Sequence, residues 1–184
     1  MRLLRYYGDP ALRRKARPVR EITEEVRSLA REMFALMRRH RGIGLAANQV
    51  GERVRVIVVD LSAGERERDA FAIVNPKVVR RTGSYEDEEG CLSFPGLRLP
   101  VRRPLEARVE GLDLGGNPVA HEGRGLLARA LLHEIDHLDG VLFTARLPWA
   151  KRIAMWFRLP ALKRSYRNRP AEAEESEEPQ GEPA

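Results

Sequence analysis

The segment Leu131-Leu132-His133-Glu134-Ile135-Asp136-His137-Leu138 places two demands on a fold that are rarely met together. Its leucines, with Leu127 one turn earlier, mark the inner face of a helix over residues 124 to 137, so burial is expected. Gly140 supplies the stop. Yet the same helix carries two imidazoles and two carboxylates. Positions 133 and 137 are four apart and project from one face. A buried helix that presents two histidines side by side needs a partner for them, and a divalent metal fits their spacing. Glu134, next to the first, can reach a water on that ion. This is the minimum for metal-assisted hydrolysis of an amide-type bond. Asp136 precedes His137 by one residue and faces away from the metal side.

A catalytic site of this type takes three protein ligands and leaves one position open. No later Glu can complete it, because residues 138–170 contain a single acid, Asp139. A third histidine six positions past the second would do so, but Phe143 stands there. The remaining candidate is Cys91, the one cysteine of the chain, in Glu89-Gly90-Cys91-Leu92-Ser93. A thiolate is a strong ligand for zinc or ferrous iron. A lone cysteine also reads as a small buried hydrophobe, and the lack of another third ligand is what favours the metal role. Upstream, Gly42-Ile43-Gly44-Leu45-Ala46-Ala47-Asn48-Gln49 is dense in small residues that let backbone approach a ligand. Gln49 can offer an amide donor to a developing oxyanion. Read alone, this stretch is equally a glycine-rich loop after a helix. With no strand leading into it, it does not match a phosphate-binding fingerprint.

In this order, the three segments resemble the pattern of the peptide deformylases: a glycine-alanine loop ending in Gln, then Glu-Gly-Cys-Leu-Ser, then His-Glu-x-x-Asp-His. The resemblance runs from the N-terminus to about residue 165. It implies that Cys91, His133 and His137 are the metal ligands and that Glu134 is the general base. It also implies that Gln49 and the Leu92 N–H stabilise the oxyanion. Gly44 would contact the substrate through its backbone, and Ile43, Leu127 and Ala130 would line the methionine pocket. Arg98 matches a position near the peptide cleft. The implied cofactor is one divalent ion, Fe²⁺ in the cell, with Zn²⁺ or Ni²⁺ as substitutes. The implied substrates are N-formylmethionyl nascent peptides, released as formate and a free amine. The chain departs from the family at Leu132, where Gln is common, at Phe94, where an aliphatic residue is common, and at Asp87, where some members place an apolar residue. These positions bear on pocket shape and leave the ligands and base in place.

A chain of 184 residues suits one domain with a real core. The expected class is α+β, with small antiparallel or mixed sheets packed around the metal-binding helix and a C-terminal helical extension. Residues 23–39 read as an amphipathic helix through Val26, Leu29, Met33 and Met37, with Glu24 and Glu25 in its first turn. Val54 to Asp60 reads as a strand, and residues 71–75, 77–82 and 105–113 add further candidates. Gly115-Gly116-Asn117-Pro118 marks a hairpin tip. His121 is expected in a charged turn beside Glu122. No apolar run approaches the length of a membrane span, and Met1-Arg2-Leu3-Leu4-Arg5 opens without a signal-type apolar stretch. With one cysteine and hence no internal disulfide, a cytoplasmic protein without membrane contact is expected.

Charge is unevenly distributed. The expected catalytic region is 1–165, within which a basic extension begins at 146 and continues to 169. Residues 170–184 read as a disordered acidic tail. Without the six tail glutamates the formal net charge rises from +6 to +12. Residues 146 to 169 hold Arg146, Lys151, Arg152, Arg158, Lys163, Arg164, Arg167 and Arg169 without an acid, and Pro160 is expected to interrupt any helix there. One reading is a solvated basic helix that packs Ile153, Trp156, Phe157 and Leu162 on the domain. The other is a dock for RNA, and the resemblance implies ribosome contact near the nascent-chain exit. Two alternatives to a deformylase are a metallopeptidase, which lacks its usual third ligand here, and an RNA-binding module with a structural metal. The latter lacks the residues for a closed four-ligand set.

Overall fold

The computed structural model describes residues 2–62 and 70–167, so the acidic tail and Arg169 lie outside the described residues. Val56–Val59 (β2) is buried at every position, which a strand can be only if both faces of its sheet are covered. Both are. Val56 and Val58 pack with Leu29, Ala30, Met33 and Met37 of α1 (Glu24–Arg39). Ile57 and Val59 point the other way, onto Ala130, Leu131, Ile135 and Leu138 of α2 (Leu126–Leu138). The next strand repeats the alternation, with Val74 on the α1 side and Ile73 on the α2 side. The period-2 pattern is therefore hidden in sequence because in and out are both apolar.

The sheet has five antiparallel strands in the order β1 (Gly44–Ala46), β2, β3 (Phe71–Thr82), β6 (Glu106–Leu112), β7 (Pro118–Arg124). The two segments read as 71–75 and 77–82 are one strand. Pro76 lacks an N–H and falls in a register shift between Val74 and Lys77, so the ladder bulges without ending. Asn75 takes a positive φ of 54° there, and its side chain pairs with the backbone N–H and C=O of Val19, both at 2.8 Å. The expected hairpin tip joins β6 and β7. Asp113 Oδ1 accepts from the N–H groups of Gly115 and Asn117, each at 2.8 Å, and Gly116 supplies a φ of 89°. His121 is not in a turn: it lies in β7 and stacks on Phe71 with ring centroids 3.9 Å apart.

A second sheet, whose strands are not among those read from the sequence, pairs β4 (Tyr85–Gly90) with β5 (Arg98–Arg103). The run Tyr-Glu-Asp-Glu-Glu-Gly has poor strand propensity. It forms a strand because arginines face it, with Glu86 opposite Arg102 and Gly90 opposite Arg98. The connecting loop, residues 91–97, holds Cys91.

The last helix, α3 (Trp149–Arg167), runs unbroken through Pro160, contrary to expectation. Pro160 is exposed, so water can satisfy the carbonyl that loses its donor. The packing of α3 also differs from the expected one. Met155 and Tyr166 are buried in a cluster with Leu12, Phe94, Leu97 and Phe143, whereas Trp149, Trp156 and Phe157 are 68–76% exposed. The expected α+β class is the observed one. Among the described residues no helix is long and apolar enough to cross a membrane.

Candidate metal centre and its cleft

α2 ends at the cap residue Asp139, and Gly140 follows with a φ of 75°, close to the stop read from sequence. Its face toward the small sheet carries His133 and His137, both buried. The loop after β4 brings Cys91 to the same point. Cys91 Sγ lies 3.2 Å from His137 Nε2, which lies 3.1 Å from His133 Nε2. One donor atom from each residue falls within 4.8 Å of the other two, making a group able to hold a metal. One thiol and two imidazoles form a set that suits Zn²⁺ or Fe²⁺.

The surroundings orient these atoms. His133 Nδ1 is 2.6 Å from Glu89 Oε1 and donates to that carboxylate, which turns Nε2 toward the centre. Glu89 accepts a two-point contact from Arg103 Nε and Nη2, both at 2.6 Å, and a third from Arg129 Nη1 at 2.8 Å. Arg103 Nη1 also donates to Asp136 Oδ2 at 2.8 Å, and Arg146 holds Asp136 from the other side. Thus Asp136, facing away from the donors as expected, takes up the back of the network. Arg103 and Arg129 had no role in the sequence reading, and Arg146, read there as part of the basic segment 146–169, is instead engaged with Asp136. The available signal was Arg129, a charge among the apolar residues Leu126 to Leu132.

Burial opposes ionisation of Glu89, but the bonds from Arg103 and His133 hold its carboxyl well below the usual range. Burial pulls His133 down, and contact with Cys91 and Glu89 overcomes it, leaving that imidazole raised. His137 is lowered, first by burial and then by His133. Glu134 is raised to about 7, chiefly by burial. Its Oε2 and His137 Nδ1 are buried without a hydrogen-bond partner among the described residues. Orphaned buried polar atoms are rare, and Glu134 Oε2 beside the Cys91–His133–His137 group is what a water on a bound ion would account for; His137 meets that point through Nε2 and not through Nδ1.

Gln49 sits in the short helical turn Ala47–Val50 that follows β1. Its Oε1 accepts from the Ala46 N–H at 2.8 Å. That fixes the amide so that Nε2 points at the Cys91 loop, 3.1 Å from Ser93 Oγ and 3.6 Å from Cys91 Sγ. Asn48 beside it donates to the His137 carbonyl. Gly44 lies against Glu134: a Cβ there would be 2.5 Å from Oε1. A cleft of about 940 Å³ opens from this point, lined among others by Ile43, Gly44, Leu92, Arg98, Leu126 and Ala130. Leu127 does not line it. One position along, Leu126 takes the wall, and Leu127 packs inward on the core by Gly123. The helical periodicity had set Leu127, Leu131, Leu132 and Leu138 on the inner face, where they pack; what differs is the wall position that the resemblance implied for Leu127. Of the family departures, Phe94 and Leu132 are buried in core clusters and Asp87 is exposed.

The family model described as Polypeptide deformylase matches residues 1–152. A peptide deformylase from Acidobacterium capsulatum is 42% identical over 159 residues, 86% of this chain and 94% of its own length. One from Thermomicrobium roseum is 46% identical over 144 residues, 76% of this chain and 82% of its own. Among solved structures, a peptide deformylase from Legionella pneumophila has a TM-score of 0.82 and 40% identity, covering 92% of this chain and 99% of that one. The enzyme from Thermus thermophilus has a TM-score of 0.83 and 41% identity, covering 90% and 97%.

The buried ion network supports one stability prediction. Arg103→Met leaves Glu89 and Asp136 short of a cation at sites 4–11% exposed. Unfolding stability is expected to fall by about 3–5 kcal/mol, read from the denaturant midpoint. A loss under about 1 kcal/mol would show that the network is not a structural tie.

Proposed function

The chain belongs to the polypeptide deformylase family and is a metal-dependent hydrolase that removes the N-formyl group from the N-terminal formylmethionine of nascent polypeptides, and we propose that Cys91, His133 and His137 hold its metal ion and Glu134 moves the proton. The observation that carries this assignment is the convergence of one sulfur and two nitrogens beside the unpartnered Glu134 Oε2. When bound, the ion supplies Lewis acidity and makes water acidic enough to ionise near neutral pH. Glu134 would take a proton from a water whose oxygen adds to the formyl carbon, and would return that proton to the amine nitrogen as the C–N bond breaks, giving formate and a free amine. A carboxyl raised to about 7 is suited to both transfers. Gln49 Nε2 and the Leu92 N–H donate to the oxygen of the formyl carbon as it gains charge. Ile43, Leu126 and Ala130 take the methionine side chain, Gly44 contacts the peptide backbone, and Arg98 stands at the exit of the cleft.

Fe²⁺ is the ion we assign in the cell, with Zn²⁺ and Ni²⁺ able to replace it, since a thiolate with two imidazoles suits all three. Catalysis belongs to residues 1–165, in the cytoplasm. The basic segment 146–169 is assigned to the ribosome, because its lysines and arginines can neutralise RNA phosphates. Trp149, Trp156 and Phe157 are exposed on the same segment, which supports this reading.

Formate release from formyl-Met-Ala-Ser by anaerobically prepared protein tests the chemistry. Glu134→Gln is expected to retain one metal per chain and lose turnover by about 10²–10⁴-fold. Absence of turnover by Fe²⁺-, Ni²⁺- and Zn²⁺-loaded wild type would overturn the assignment. The iron form is expected to lose activity in air while the zinc form keeps it, because thiolate beside Fe²⁺ oxidises readily; equal air stability would remove iron. Truncation after Leu147 is expected to abolish salt-sensitive cosedimentation with ribosomes, and undiminished binding would exclude the basic segment as the dock.

A further inference from the structure

The lip of the cleft carries a cation in a conformation that side chains seldom adopt. α1 ends at Arg39 with His40 as cap, and Arg41 follows at a φ of 52°. The Gly42 N–H bonds to the Met37 carbonyl at 2.9 Å and the Arg41 N–H to the Arg38 carbonyl at 3.0 Å. This is the closing turn in which glycine ordinarily occupies the left-handed position, with asparagine next. Here arginine holds it, although glycine comes one residue later. Gly42 is needed for another reason: a Cβ there would stand 2.7 Å from Leu92 Cδ1. An arginine kept in a strained backbone region at the edge of a cleft calls for a functional account.

Arg41 is exposed, lines the cleft, and has no ion-pair partner among the described residues. Arg98 also lines it, 67% exposed and 3.4 Å from an equally exposed Glu88. That surface pair is weak enough to yield to another carboxylate. Deeper in, Arg129 is held by Glu89 within the buried network that also contains Arg103. The cleft therefore runs from an apolar end near Ile43, Leu126 and Ala130 to a mouth where positive charge is in excess.

Resting on the function proposed above, we propose that Arg41 is a specificity-determining residue that favours nascent chains with an acidic side chain in the first residues after the formylmethionine. The bound end of the substrate, a formamide and a thioether side chain, is uncharged, so charge discrimination falls to what leaves the cleft. An extended chain advances about 3.3 Å per residue, and it passes the mouth within a few residues. There Arg41 attracts aspartate or glutamate and repels lysine or arginine. Both effects act on encounter and binding, so they belong to KM and weaken with salt.

The experiment compares formyl-Met-Ala-Ser with peptides carrying Glu or Lys at the second, third or fourth residue, at low and high salt. For the wild type, kcat/KM for the best-placed Glu peptide is expected to exceed that for its Lys counterpart about tenfold at low salt. The difference should arise in KM and shrink with added salt. Arg41→Asn, whose side chain suits the left-handed region, is expected to keep or raise the melting temperature and bring the ratio toward one. Arg41→Glu is expected to invert it. A wild-type ratio near one at every position, or a ratio that Arg41→Asn and Arg41→Glu leave unchanged, would overturn the inference while turnover of formyl-Met-Ala-Ser upheld the function. No turnover of any peptide would overturn both.

Discussion

The tie between Glu89 and His133 governs the geometry of the rest. Glu89 is the last inward-facing side chain of a two-stranded sheet that makes no ladder with the main sheet. Its carboxylate fixes that sheet to α2 through His133, while Arg103 and Arg129 keep it ionised in a buried setting. Two residues later the chain reaches Cys91, 3.2 Å from His137. A buried charge cluster of this kind gains little net stability over apolar packing, since desolvation offsets most of the attraction. What it adds is register. Each carboxylate has particular partners, so the hairpin cannot slide along the helix without stranding a charge.

α2 can serve as the platform because it is clamped on both sides. Ala130, Leu131, Ile135 and Leu138 seat it on the five-stranded sheet, and the Glu89 and Asp136 contacts seat its other face on the hairpin. Helical periodicity thus carries three roles on one segment. One stripe is core, one holds the candidate ligands, and one carries the ion network. Gly44 extends the logic across the cleft, since its missing Cβ is the space that Glu134 occupies. The site is assembled from α2, the turn after β1 and the loop after β4.

Much of this could be read before folding. The 133–137 spacing announces a helix with two imidazoles on one face, and the two failed completions leave Cys91 as the third donor. The strands built on Val56–Val59 and Glu106–Leu112 were visible as β-branched or alternating runs. Other features depended on partners far along the chain. β4 has no propensity to be a strand and becomes one opposite the arginines of β5. Pro76 and Pro160 looked like interruptions. Neither is one, because a bulge absorbs the first and solvent the second. Periodicity sets Leu127 on the inner face with Leu131, but that its neighbour Leu126 forms the cleft wall emerges only once α2 lies against the sheet.

By itself, then, the order of residues determined the helix, the donor types and the family pattern, because spacing along a helix and ligand chemistry are local properties. The tertiary structure decided which charges are buried together, which leucine lines the cleft and that Arg41 stands at its mouth. Those are outcomes of long-range packing and of a backbone turn whose residue is not the one the turn prefers. Nothing in the neighbouring residues specifies them.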